Sequence, residues 1–280
     1  MQNMTISMLK PEIGRVPYYD TFYRNYSMLV ATSLVTYEII NETPEAEIFE
    51  LICGTSSFAA SDHERLRVDY IGIGVDFRTP QTNEARGLDR NALIEPIKAQ
   101  QISATNSLIT FINASEFLFL FAIFEAAIKD AVSSGKDFPE KAVMSQILAK
   151  LKKDGTFDQF RNVLAKRTLI QNFKDAEEVW KFFLDFRHLY VHGGGRVTEK
   201  WLGKFQTSMD GLMSRLTKDT DLAKMFLADV IESCQPQDGQ LFVVTDNFTN
   251  VFRNFIVSIM EALYLTEIRH RPAHTTDSSG

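Results

Sequence analysis

The stretch FFLDFRHLYVHGGGRVTEKW, Phe182 to Trp201, carries Arg187, His188 and His192 along a helix-like run and then breaks on Gly193-Gly194-Gly195. Three glycines in a row stop a helix, because glycine gives up the most backbone freedom there and readily adopts the turn beyond it. The spacing predicts a helix from about Asp175 to His192. Working outward, the segments on both sides also read as helices. Phe111–Val132 is apolar almost all the way round, as a central bundle helix is. Phe138–Gly155 has Pro139 near its start, Val143, Ile147, Leu148 and Leu151 at helical spacing, and Gly155 to end it. Phe157–Ile170 follows, then an amphipathic stretch through Trp201, Leu202, Phe205, Met209, Leu212, Met213 and Leu216. A short strand is expected at QLFVV after Gly239, with Asp246 capping a last helix, Phe248–Ile268.

The first hundred residues read differently. RLRVDYIGIGVDF, Arg65 to Phe77, alternates apolar and polar residues and is rich in β-branched side chains, the pattern of a strand. YSMLVATSLVTYEII, Tyr26 to Ile40, is ambiguous: its β-branched content favours strand and its length allows helix. The polar stretch Arg78–Asn91 marks a boundary. The division expected is an α+β section over 1–100, a helical domain over 101–270 and a loose tail over 271–280, without internal repeats or low-complexity tracts.

Composition narrows the function classes. Among 280 residues, 45% are hydrophobic and 24% charged, which is ordinary for a globular protein. The formal charge of −6 does not announce a nucleic-acid binder. It is unevenly spread, however: residues 136–174 hold nine Lys and Arg against four Asp and Glu, while residues 1–100 hold nine against fourteen. That basic strip suits phosphates or is simply a solvated face. Cys53 and Cys234 lack metal-ligand spacing and read as buried thiols. No secretory signal opens the chain, and the apolar run Phe117–Phe124 is too short to span a bilayer, so a cytoplasmic protein with no membrane partner is expected.

Arg187 and His192 form an Arg-x4-His element at a helix end, with polar His188 directly after the arginine and a glycine-rich exit. With the very apolar helix containing FLFLFAIFEAAIKD before it and a closing helix after a short extended piece, residues 105–268 resemble the HEPN superfamily. The fold class this implies is mainly α, a HEPN-like helical bundle behind an α+β N-terminal section. The resemblance further implies a homodimer and a metal-independent endoribonuclease, used as a toxin or antiviral defence effector, with an antitoxin or defence-system protein as partner. Arg187 and His192 take the catalytic positions, with His188 as their polar neighbour. No cofactor and no metal is expected.

The residue chemistry suits that role. Cleaving RNA without a metal needs a base for the 2′-hydroxyl proton, and histidine's ordinary pKa of about 6.5 serves at neutral pH. It also needs a fixed cation for the phosphorane, which arginine's planar fork supplies. Five residues of straight helix turn about 500°, which leaves Arg187 and His192 about 140° apart. Either the glycines unwind the last turn, or two copies of the motif meet around one cleft.

Other readings stand beside this one. A non-catalytic HEPN module would serve as a scaffold. His188 and His192, four apart, can face one way and bind a metal in a hydrolase, although no glutamate lies between them and no third ligand is evident. Arg187 in a structural salt bridge with His192 closing the helix against its dipole is the plainest alternative. Glu125, on the Phe121/Ile128 face of the central helix, either touches the site, snorkels, or pairs with Lys129 one turn on, and Tyr190 is expected to serve packing.

Overall fold

The structure, a computed structural model, describes residues 8–48, 103–132, 137–168, 170, 172–216 and 236–270. It is mainly α. In order come α1 (Pro17–Glu42), α2 (Ala104–Val132), a single 3₁₀ turn (Glu140–Ala142), α3 (Val143–Lys153), α4 (Phe157–Arg167), α5 (Phe173–Gly193), α6 (Glu199–Leu216) and α7 (Asp246–His270). Residues 1–33 and 110–280 make one compact unit, and 34–109 another.

The ambiguous segment Tyr26–Ile40 is helical, all of it within α1. Tyr19, Phe22, Tyr26, Val30, Ser33, Tyr37 and Ile40 are buried at three- and four-residue intervals, which only a helix can place on one side. The expected strand Arg65–Phe77 lies outside the described residues, as do both cysteines. QLFVV does not become a strand. It makes one antiparallel bridge, Arg196 to Leu241, because the chain leaving the glycines runs straight into α6 and offers no longer partner. Asp246 is not the cap of α7 either. Thr245 takes that position, its Oγ1 accepting from the Phe248 amide at 3.2 Å, while the Asp246 carboxylate accepts from Asn113 Nδ2 at 2.9 Å.

The larger unit is built on aromatic rings from α2, α5 and α7. Phe121 stacks on Trp180 at 4.4 Å and on Phe252 at 5.5 Å, and Phe117 and Phe183 meet Phe252 edge-on or tilted at 4.8 and 4.7 Å. All five rings are buried, and each buried Phe side chain contributes roughly 1.5–3 kcal/mol. By length and composition α2 suffices to cross a membrane, its 29 residues extending well past the apolar run that looked too short. Here Phe117, Leu120, Phe121, Phe124 and Ile128 face the protein's own core.

Polar contacts fix the register of the long helices. Arg253 of α7 inserts among them and donates from Nε to Glu116 Oε1 at 2.6 Å, both residues being buried. The segment before α1 runs along α7: the Leu9 amide donates to Glu261 Oε1 at 2.7 Å, and Tyr19 stacks on Tyr264 at 4.2 Å. Burial of Tyr19 and the nearby Glu261 push the Tyr19 phenol far above its usual range, so it stays a neutral donor to the Leu9 carbonyl. In the smaller unit, the Glu45 carboxylate accepts from the first amides of α2, Ala104 at 2.6 Å and Thr105 at 3.2 Å, and from the Thr105 hydroxyl.

Candidate functional site

The site residues ride on α5, and its two ends explain their placement. Asn172 caps the start, its Oδ1 accepting from the Asp175 amide at 3.0 Å. Phe173, Ala176, Val179, Trp180, Phe183 and Phe186 drive one face into the core. The helix stays regular through Gly193, and Gly194 closes it in the left-handed conformation at φ 57°. The Gly194 and Gly195 amides donate back to the Tyr190 and Leu189 carbonyls, each at 3.1 Å. The glycines therefore terminate the helix without unwinding its last turn, and of the two routes for bringing Arg187 and His192 together, that one is closed.

Arg187 is the better buried of the two. Its guanidinium lies over the Phe121 ring with Cζ 5.3 Å from the centroid, a cation–π arrangement, and its side chain is 20% exposed. Nη1 sits 2.5 Å from Glu140 Oε2. His188 Nε2 lies 3.2 Å from that same oxygen, a hydrogen bond whenever the nitrogen carries a proton. Glu140 is held from behind, since Trp180 Nε1–H donates to its backbone carbonyl at 3.1 Å. His192 stands apart. Its ring is exposed, 5.8 Å from that of His188, and no hydrogen bond or ion pair engages it among the described residues.

The structure thus joins Arg187 and His188 through Glu140 and leaves His192 one turn away, facing solvent. Among the described residues no three metal-capable side chains converge, so the pair His188 and His192 lacks a third ligand there. Glu125 pairs with Lys129 at 3.0 Å, as its spacing predicts, and Lys129 also meets Asp137 at 2.8 Å. Tyr190 does more than pack: its hydroxyl donates to the Phe242 carbonyl and its ring covers Gly195.

Within the basic strip, Lys150, Arg161 and Arg167 are paired with Asp154, Asp158 and Glu261. Lys141, Lys152, Lys153, Lys166 and Lys174 are exposed, with no ion pair among the described residues. Lys141 directly follows Glu140 in the chain.

Glu140 and Phe121 are the members that sequence reading missed. Glu140 lies 48 residues before His188, and nothing in its local pattern separates it from any exposed glutamate. The one available signal was Pro139, which starts a short turn beside it. No family model, curated protein or solved structure matches the chain.

Proposed function

We propose that the chain is a metal-independent endoribonuclease of HEPN type, a cytoplasmic toxin or antiviral defence effector that cleaves RNA as a homodimer. One observation carries the reading. Near the end of a single regular helix, Arg187 lies over the Phe121 ring, while His192 five residues on is exposed just before the glycine stop. In the reaction, His192 removes the 2′-hydroxyl proton and the 2′-oxygen attacks phosphorus. The bond to the 5′-oxygen breaks, and that oxygen takes up a proton from solvent water as it leaves. Arg187 stabilises the charge of the phosphorane between these events. Because the two side chains diverge by about 140° on one regular helix, the groove is formed by two copies, each contributing both residues. The exposed lysines of the basic strip hold the flanking phosphates. An antitoxin or defence-system protein keeps the activity in check.

The test is a digestion of RNA with and without chelator, read by end-group analysis. The expected products are 2′,3′-cyclic or 3′-phosphate ends and 5′-hydroxyls, formed equally with chelator present. RNA with a 2′-O-methyl group at the cleavage position resists, having no proton to lose. Chelator-sensitive cleavage leaving 5′-phosphates would instead support a metal-dependent hydrolase using His188 and His192. A second reading, a non-catalytic HEPN scaffold, is favoured by the ion pair that engages Arg187 with Glu140. It predicts no cleavage under any of these conditions.

A further inference from the structure

One carboxylate oxygen, Glu140 Oε2, faces two nitrogens at once: Arg187 Nη1 at 2.5 Å and His188 Nε2 at 3.2 Å. A non-bridging phosphate oxygen asks for the same surroundings, a guanidinium N–H and an imidazole N–H converging on one anionic oxygen. The guanidinium is constrained in turning to meet a ligand elsewhere, because it lies over the buried Phe121 ring with Cζ 5.3 Å from the centroid. Glu140 is constrained differently. Its backbone carbonyl is held by the indole of Trp180, itself 1% exposed, whereas its side chain is 27% exposed. Rotating the carboxylate outward therefore leaves the turn where it is.

We propose that Glu140 is a built-in latch on the anion seat of Arg187: its carboxylate occupies the position a phosphodiester oxygen takes, and RNA enters by displacing it. The assignment rests on reading Arg187 as the phosphate-facing cation of the ribonuclease site. A tethered carboxylate competes with every incoming anion, so it selects among them. Inorganic phosphate, a single anion that meets only this seat, loses to the latch. An RNA strand wins because its neighbouring phosphates meet further cations, Lys141 beside the latch among them. The latch thus sets specificity for a polyanion over the abundant free phosphate of a cell.

Binding to the full-length chain tests this without relying on turnover. The probes are a short 2′-O-methyl RNA, which is not cleaved, and inorganic phosphate. Glu140→Gln keeps the shape of the side chain and removes its charge. It is expected to bind the RNA about tenfold more tightly than wild type, since a charge-assisted contact no longer competes. It also gains measurable phosphate binding, and the double variant Glu140→Gln/Arg187→Ala loses both gains. Glu140→Asp, which keeps the charge on a shorter arm, falls between wild type and Glu140→Gln, and it reports on the latch should the glutamine variant fold poorly. Affinity in Glu140→Gln equal to or below wild type, with an unchanged melting curve, overturns the proposal, as does failure of every variant to bind either probe. The arms separate it from the ribonuclease reading. A gain in binding without cleavage by any variant removes the enzyme and keeps the latch, whereas wild-type cleavage with no gain in Glu140→Gln removes the latch alone.

Discussion

Gly195 lies beneath the ring of Tyr190, so close that a Cβ built on it would sit 2.8 Å from Tyr190 Cε1. Its φ of 80° belongs to the left-handed region that side chains rarely adopt. Gly195→Ala is expected to cost about 2–4 kcal/mol, combining that conformation with the displaced ring. Gly193 differs: it is helical, and a Cβ there meets only Leu189 Cδ1 at 3.7 Å. Gly193→Ala should be neutral or stabilise by about 0.5–1 kcal/mol. Urea denaturation of the two variants checks the contrast, and equal effects would discount the role given to Tyr190.

The buried pair Glu116–Arg253 predicts a non-additive result. Arg253→Met leaves the Glu116 carboxylate buried without its cation, and a loss of about 3–5 kcal/mol is expected. Glu116→Leu combined with Arg253→Met removes both charges and should recover most of that loss. A double-mutant cycle by chemical denaturation measures the coupling.

Arg187→Ala and His192→Ala test the enzyme directly. Each is expected to lower cleavage by about 10²-fold or more while leaving the circular dichroism spectrum unchanged, and each should relieve growth inhibition on expression. Activity per chain should also fall on dilution below the dimer dissociation constant. Full activity from a strictly monomeric species would end the two-copy groove.

Glu45 predicts an acid-limb effect. Its carboxyl is held below the usual range, first by the Thr105 hydroxyl and then by the Ala104 and Thr105 amides. A lowered folded-state pKa means stability that is present above the unfolded value of about 4.3 and is lost as pH falls through the folded one. Wild type should therefore exceed Glu45→Gln in melting temperature near neutrality, with the gap shrinking only below about pH 4. A constant gap across that range would discount the carboxylate's charge.

The helices were legible in the sequence where periodicity and stops coincided. Val143, Ile147 and Leu151 lead to Gly155, and the face through Phe183 and Phe186 leads to three glycines. α1 was harder because Val30, Val35, Thr36, Ile39 and Ile40 are β-branched. The deciding pattern, from Tyr19 through Phe22, Tyr26, Val30, Ser33 and Tyr37 to Ile40, includes a serine and three tyrosines that a hydrophobic count discounts. QLFVV had a strand's composition, but a strand also needs a partner of matching length, which composition does not report. In the site, Arg187 and His192 stood out through spacing. Glu140 did not, since its role comes from a turn folded against α5 from far along the chain.

The pairing of Arg196 with Leu241 matters beyond its size. A helix ending in consecutive glycines ordinarily frays from that end, and the last turn of α5 carries His192. Here the exit is stitched to residues 239–242: Phe242 donates to Gly195 at 2.9 Å, Val197 to Gln240 at 2.8 Å and Gly239 to Val197 at 3.0 Å. Phe242 itself is wedged against Phe186 at 4.6 Å. Opening the tip of α5 thus also disturbs a buried ring, so local unfolding there costs more than fraying of a helix end held by its own hydrogen bonds alone. A histidine exposed to solvent is carried on a helix end that is tied to the core from outside the helix.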